Sequence, residues 1–507
     1  MFKFLPSHFI EIRKILYPVT FLCFILFFGL SSFVSTGWLS ADEHHQILEF
    51  ANYKRGLLNE NYLAWEFHDR IRPALQAGIA FILLNALDAA GLNDPFKQVL
   101  LLRLLSAVLF SVSALCLYRS LRERFNSPVH QYLYFICTFW LYFFPVFGVR
   151  FFSENWSACF FMLAIARLLS YRRENGKAVL KIQNEFTSGI LFAFSFLFRY
   201  QSAIVVASLF LWLLIFHFDS VRRWIWLLPG FAIVFLAGIV IDRWFYGEWV
   251  LTSWNYFDAN LVKGKAATFG ISPWWWYFDQ LIVGKWLTVL NACICILTVL
   301  FGIRRFRHPF TWLFFPFLLV HMFIGHKEMR FLYPVLVFIP FMITDSLVFT
   351  DQGMRRKTIL IAIGFPLAVI NCFGFVASCF RLHDTSSDVF RYTRTLTDRP
   401  IVIYFRGEQF YYTLANDAKT LSPRFYKDDH IIISREMKGD ISEPLLKRNP
   451  QGDTLVYFIA GSPEEAKMYS RAVQVFSPQP EWLLKLNYRN WMHAGPGNYW
   501  KLYQIKN

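Results

Sequence analysis

Charged residues are scarce in this chain. Asp, Glu, Lys and Arg make up 17% of its 507 residues, against 56% hydrophobic and 20% aromatic residues. A soluble domain of that makeup could not cover its own surface, so composition alone points to a protein that crosses a membrane many times. Cysteine offers no scaffold either. The eight cysteines (Cys23, Cys116, Cys137, Cys159, Cys293, Cys295, Cys372, Cys379) all fall in or beside apolar segments, which argues against disulfides and a cysteine zinc site and for reduced packing residues. There is no nucleotide-binding glycine pattern in the C-terminal region, and the chain carries no internal repeat and no low-complexity stretch. The first apolar segment lacks a small-residue cleavage pattern and is followed by many others, so it reads as a retained membrane helix. The formal net charge of +16 raises nucleic acid as a partner. Lys and Arg, however, sit in short clusters between apolar segments, as positive-inside loops do, and no nucleic-acid partner is expected.

Apolar stretches of bilayer-spanning length recur from Ile15 to Phe380, whereas the chain from about Arg381 has ordinary soluble composition. Two domains are expected, a membrane domain over 1–380 and a soluble α/β domain over 381–507. The basic clusters are Lys3/Arg13/Lys14, Arg119/Arg122/Arg124, Arg172/Arg173/Lys177, Arg222/Arg223, Arg304/Arg305/Arg307 and Arg355/Arg356/Lys357. If all face the cytoplasm, an even number of crossings separates each neighbouring pair. Parity then predicts that "ALQAGIAFILLNALDAAGL", interrupted by Asn85 and Asp88, lies along the outer face as an interfacial or re-entrant helix. It also splits the long run around "RYQS" into two short helices meeting at Arg199. About eleven crossings result, with the N-terminus inside and the C-terminal domain outside. The polar, aromatic-rich segments 35–97, 149–154, 199–202, 242–281 and 326–330 all fall on the outer face. In the last region "IVIYF" (401–405) and "TLVYFIA" (454–460) read as buried strands. The following "GSPEEAKMYSRAVQVF" reads as a helix with Ser462 as N-cap and Pro463 as its first residue.

Several outer segments carry chemistry. In "SADEHHQILE", Asp42 and Glu43 stand at the end of the first helix, where charge close to hydrocarbon either lines a polar cavity or simply stops the helix. His44 and His45 have the chemistry to ligate a metal, but adjacent histidines on an acidic loop are more often surface residues, and no metal site is assigned to them. "WEFHDRIRPAL" (65–75) brings Trp65, Arg70 and Arg72, and "VRFFSEN" brings Arg150, Glu154 and Asn155. Guanidinium groups at a membrane surface meet lipid headgroups or grip a phosphate with two hydrogen bonds. The aromatic segment 242–278, with Tyr246 and Trp275, suits an interfacial belt and equally the stacking faces of a sugar. "HKEMRF" sets His326, Lys327, Glu328 and Arg330 in a link too short for a general solvated loop, so these side chains point at headgroups or into a polar cavity.

The order of "DEHHQILE", "WEF…IRP", "VRFFSEN", "FRYQSA", "DRWFYGEWVLTSWNYFDANLV…FGISPWWWYF" and "HKEMRF" resembles that of the GT-C mannosyltransferase family, which includes the lipid-phosphate-mannose-dependent α-mannosyltransferases of N-glycan and glycosylphosphatidylinositol-anchor assembly. The resemblance covers about Ile15 to Phe380. It implies the GT-C fold: a polytopic α-helical membrane protein of about eleven transmembrane helices, a large first outer loop with interfacial helices and, here, a small C-terminal α/β domain. It also implies inverting transfer of mannose from a polyprenyl-phosphate or dolichyl-phosphate donor to a glycan or glycolipid acceptor at the outer or lumenal face. Asp42, with Glu43 beside it, takes the position of the general base. His326, Lys327 and Arg330 match the motif expected near the donor phosphate, with Arg72 and Arg150 assisting. Glu328, Trp65, Tyr246 and Trp275 are the candidates for contact with sugar. The donor is a substrate, so no cofactor is expected, and metal dependence stays open. The single outer sequon, Asn155-Trp156-Ser157, lies against the membrane, which favours a bacterial inner membrane with a periplasmic site over the endoplasmic reticulum. A GT-C enzyme for another lipid-linked sugar, or a lipid-linked-sugar transporter, is the alternative.

Overall fold

The computed structural model describes residues 5–169, 172–174, 177–179, 182–216, 221–282, 287–350, 354–381, 385–396, 400–406, 408–414, 422–427, 432–436, 454–460, 472–479, 481–486 and 500–505. The chain forms two compact units. One comprises Met1–Ser31, Asp69–Gln76 and Leu102–Cys379, and the other Ser32–His68, Ala77–Leu101 and Phe380–Asn507.

The first unit is helical. Its longest elements are Leu5–Val34 as far as Ser31, Pro95–Leu121 from Leu102 onward, Val221–Tyr246 and Met354–Cys379. Between them lie shorter apolar helices, among them Pro128–Trp140, Ser153–Leu169, Ile182–Phe198, Ser202–Phe216, Thr288–Arg304, Pro309–Phe323 and Ile339–Thr350. Local chemistry sets several ends. Ser127 accepts from the Val129 N–H ahead of Pro128, and His308 does the same for Phe310 ahead of Pro309, so each helix opens on a capped turn with proline where its missing donor costs nothing. Ile182–Phe198 and Ser202–Phe216 are separated at residues 199–201, where the two short helices were expected to meet. Among the described helices, Ile12–Val34, Pro95–Arg124 and Ile225–Tyr246 are long and apolar enough to cross a membrane, and the pair Met329–Leu336 and Ile339–Val348, bent by 60°, would add a fourth. The remaining apolar helices are shorter, so helix length by itself does not yield the eleven crossings derived from charge.

From Ile15 onward the outward-facing residues of the first helix are apolar: Ile15, Leu22 and Leu26 are exposed while Phe24 and Phe28 are buried. Water would not tolerate that outer face, and hydrocarbon does. Glycine permits the closest approach in the unit. A Cβ on Gly189 would lie 2.1 Å from the Leu227 carbonyl oxygen, and one on Gly230 would lie 2.2 Å from that of Phe186. Helices Ile182–Phe198 and Val221–Tyr246 therefore pack backbone to backbone, as small residues allow when there is no hydrophobic force between helices in lipid.

The second unit contains short helices of the first loop, the helix Leu75–Ala89 from Ala77 onward, and a sheet. Asn85 and Asp88, which interrupt the apolar run of that helix, are both held by Arg55; Gln98 donates to Asp88 Oδ1 at 2.6 Å. With β1 (Arg172–Glu174) and β2 (Lys177–Val179) forming a hairpin in the first unit, the strands of the second are β3 (Ile401–Phe405), β4 (Ile432–Glu436), β5 (Leu455–Ala460), β6 (Ala472–Phe476) and β7 (Lys501–Ile505). Their order is β4-β3-β5-β7-β6, with β4, β3 and β5 mutually parallel and β7 antiparallel to both neighbours. All five residues of β3 are buried, as an unbroken β-branched and aromatic run requires. One expectation is overturned. Ser462 and Pro463 lie outside the described residues, but Ala472–Phe476, expected to close a helix, is strand β6. The alternation in "AVQVF" suits an edge strand, and pairing with β7 satisfies its backbone on one side.

Candidate active site

In the first unit, residues distant in sequence meet around Glu154. The helix Ser153–Leu169 buries this carboxylate in its first turn. Arg199, at the break between two helices, places Nη2 3.3 Å from Glu154 Oε1, and Arg330 places Nη1 3.5 Å from the same oxygen. All three side chains are at least 93% buried, with exposures of 1%, 5% and 7%. Arg330 also grips Glu328 through Nε and Nη2, both at 2.7 Å. His326 Nε2 stands 3.3 Å from Glu328 Oε1. The Phe331 ring lies beneath both cations, 5.1 Å from Arg199 Cζ and 5.4 Å from Arg330 Cζ. Two guanidinium groups are thus held in an apolar setting by contacts longer than good charge-assisted bonds at Glu154. Glu328, about one-third exposed, covers the two-pronged edge of Arg330 that a phosphate would fit.

Lys327 is buried and donates to the Ser272 carbonyl at 2.8 Å and the Ile324 carbonyl at 2.5 Å, while Ser272 N–H donates to the Gly325 carbonyl at 2.9 Å. Loss of water pushes its ammonium pKa below the ordinary lysine range. In this state it fastens the 272 segment to the turn before the motif. A cavity of about 520 Å³, lined by Asn260, Ala266, Leu319, Phe323, Ile324 and His326 among others, opens beside that turn. Arg150 is fully buried, and Asn155 Nδ2 donates to its carbonyl at 2.9 Å.

Arg72 stacks its guanidinium 5.8 Å from the Tyr256 ring centre. The loop carrying it is fastened by Asp242, which accepts from the Ala74 N–H at 2.8 Å and the Thr252 hydroxyl at 2.5 Å; Tyr200 bonds to the same Thr252 hydroxyl. Tyr246 donates to the Arg72 carbonyl at 2.8 Å, so its hydroxyl braces the loop in this structure. Arg70, at φ 52°, is the described non-glycine residue with left-handed backbone, and its ion pair with Glu248 holds it there. Trp275 stands 51% exposed, edge-on to Trp274.

The second unit holds Asp42, Glu43 and Trp65. Ser40 caps the turn Ala41–Glu43 through the Asp42 N–H, and Glu43 Oε2 accepts from the Leu39 N–H at 2.9 Å. Glu43 thereby closes the turn that carries Asp42. Trp65 is half-buried at the start of the short helix Trp65–His68. His44 and His45 are not surface residues: they are 1% and 7% exposed, inside a wider π-type turn, His44–Leu48. His44 Nε2 lies 2.6 Å from Glu49 Oε1, which also accepts from the Phe425 N–H at 2.9 Å, and the Tyr426 ring stacks 5.3 Å from that of His44. Burial, aided by His44, pushes the His45 pKa well below the ordinary histidine value. The acidic loop looked solvated in sequence because its cover comes from residues 376 positions away.

Arg199 in the first unit and Glu49 in the second were not singled out for chemistry in the sequence, and Glu154 was named there only beside Arg150 and Asn155, with no role assigned. Arg199 had a signal: it is the lone charge inside the apolar run from Ile190 to Phe216, a place where charge is costly unless used. The described architecture is that of a polytopic helical membrane protein of the GT-C fold with a small C-terminal sheet. The crystal structure of ArnT from Cupriavidus metallidurans bound to undecaprenyl phosphate shares that fold at a TM-score of 0.51 and 10% identity, over 97% of this chain and 98% of that one. Within that class, the chain belongs to the Alg9-like mannosyltransferase family, which it matches over residues 19–396. GPI alpha-1,2-mannosyltransferase 3 of Bos taurus is 28% identical over 308 residues, 59% of this chain and 53% of that protein. Mannosyltransferase APTG1 of Arabidopsis thaliana is 24% identical over 320 residues, 62% of this chain and 56% of that protein. The chain spans about half the length of the curated relatives it matches.

Proposed function

We propose that the protein transfers mannose from a polyprenyl-phosphate donor to a hydroxyl of a glycan or glycolipid, inverting the sugar at C1, in a bacterial inner membrane and on its outer side. The observation that carries this reading is the buried Arg199–Glu154–Arg330 cluster with Glu328 on the outer edge of Arg330. The leaving group of such a donor is a phosphate, which needs fixed positive charge more than a proton. A phosphate displacing Glu328 would meet the Nε/Nη2 edge of Arg330, with Arg199 as a second cation and Phe331 excluding water beneath. His326 borders the mainly apolar cavity of about 520 Å³, which suits the first isoprene units of the donor lipid. Lys327, Asp242 and Tyr246 hold the surrounding loops, and Arg72 and Arg150 add positive charge to the same unit.

The acceptor hydroxyl must lose its proton as it attacks C1. Asp42 is the proposed base, at the position the family resemblance gives it, with Glu43 closing the turn that carries it. Trp65 and Trp275 remain the proposed stacking surfaces for sugar. The names of the relatives support mannose as the sugar. Undecaprenyl phosphate bound to ArnT supports a polyprenyl carrier in the fold, and the near absence of outer sequons supports a bacterial membrane. The test is transfer of radiolabelled mannose from a short-chain polyprenyl-phosphate mannose to a panel of lipid-linked acceptors by purified protein, beside Asp42→Asn. Transfer by the wild type, lost in the variant with donor binding kept, supports both the reaction and the base. Donor movement across reconstituted membranes with no acceptor ever labelled would replace the enzyme with a transporter.

A further inference from the structure

The transfer reaction above makes no use of His44, His45 and Glu49, yet the second unit buries them together. We propose that these three side chains form a site for one divalent transition-metal ion of the zinc class. Among the described residues they bring one ligand atom each within 4.8 Å of one another, and all three are buried. Local backbone makes this possible. In an α-helix, residues five apart point about 140° away from each other; the wider turn His44–Leu48, closed by the Glu49 N–H on the His44 carbonyl, returns Glu49 to the His44 side. Such single wide turns are frequent at functional sites.

A second, independent observation is unused ligand capacity. His44 Nδ1 and Glu49 Oε2 are buried with no hydrogen-bond partner, although their residues are 1% and 2% exposed. A buried imidazole and carboxylate normally find partners for every polar atom, and a carboxylate enclosed by Trp38, Phe425 and Tyr426 around its histidine partner needs a compensating cation. The donor set selects the ion. Two imidazoles and one carboxylate suit zinc, cobalt or iron, whereas magnesium and calcium require a shell of oxygens. In a tetrahedral site with bonds of about 2.0–2.1 Å, ligand atoms stand ~3.4 Å apart. The widest spacing would therefore shrink by ~1.4 Å while the 2.6 Å His44–Glu49 contact opened by ~0.8 Å, breaking that hydrogen bond, and one position would be left for water or substrate. Because Ala41–Glu43 runs directly into this turn, an ion there would also rigidify the segment that carries Asp42.

Metal binding is testable without any transfer assay, so it stands or falls separately from the proposed reaction. The full-length protein, purified in detergent and stripped with a chelator, is titrated with Zn²⁺ alone and with Co²⁺ alone, reading stoichiometry by calorimetry and the visible absorption of bound Co²⁺. The expected result is one ion per chain with the intense bands of low-coordinate cobalt, binding weakened at least 10-fold in Glu49→Gln and His45→Ala, and unchanged in Glu60→Gln on the exposed part of the same loop. Wild-type affinity in both triad variants overturns the site, as does failure of the stripped wild type to take up either ion. Should the variants fail to fold, the melting temperature of stripped wild type decides: a rise of several degrees with Zn²⁺ is expected, and no rise overturns the proposal.

Discussion

Both units of this protein bury polar charge, but with opposite character. The cluster of the first unit presents protons: Arg199 and Arg330 point guanidinium N–H groups at the shared Glu154 carboxylate, and Arg330 also grips Glu328. That of the second presents lone pairs: two imidazoles and a carboxylate, with no arginine or lysine in the triad. The difference teaches what each pocket accepts. Guanidinium groups held by a replaceable carboxylate suit the proposed phosphate, and an imidazole–carboxylate set suits the proposed metal cation. On these two proposals, the anion chemistry belongs to the helical unit and the cation chemistry to the unit that contains the C-terminal sheet.

Substitutions sharpen the contrast. The largest expected effect is Asp42→Asn, which removes the proposed base and lowers kcat by ~10²–10⁴, measured by mannose transfer at saturating donor; wild-type turnover would remove Asp42 from the chemistry. Arg330→Gln comes next, with a loss of about 10²–10³ in kcat/KM and weakened donor binding. If donor affinity is unchanged, the first unit is not the phosphate pocket and the contrast fails. Gly189→Leu should disrupt the close helix pair at Leu227 and cost about 1–3 kcal/mol, read as a lower melting temperature in detergent, because the carbonyl facing it cannot retreat. Lys327→Met should cost less in turnover than Arg330→Gln, since its donors are engaged by backbone carbonyls; an equal loss would make Lys327 a direct phosphate ligand. Glu43→Gln is expected to be the mildest, about 1 kcal/mol of local stability with turnover within a few-fold of wild type.

Much of the fold was legible because it is set by local patterns. Charge parity separated two helices at Arg199, and the structure breaks the helix at 199–201. Asn85 and Asp88 marked a run that is not uniformly apolar, and both residues are anchored by Arg55. The β-branched run 401–405 is a buried strand. Residues 472–476 misled because a short alternating stretch after a strong helix start fits either period, and only pairing with β7 decides. In the candidate site, "HKEMRF" announced its charges, but not that Arg330 shares Glu154 with Arg199. Nor could the motif show that Lys327 would be engaged by carbonyls 55 and 3 residues away in sequence.

Composition and periodicity by themselves determined that this is a polytopic membrane protein with a distinct C-terminal segment. Transfer of apolar surface from water depends on residue type summed along the chain, and that sum is written in the sequence. Tertiary structure alone decided which charges are buried and with whom. Glu154, Arg199 and Arg330 come from three separate helix ends, and the cover over His44 and Glu49 comes from Phe425 and Tyr426. Burial and electrostatic pairing fall off within a few ångströms, so they depend on distances that only the folded chain creates.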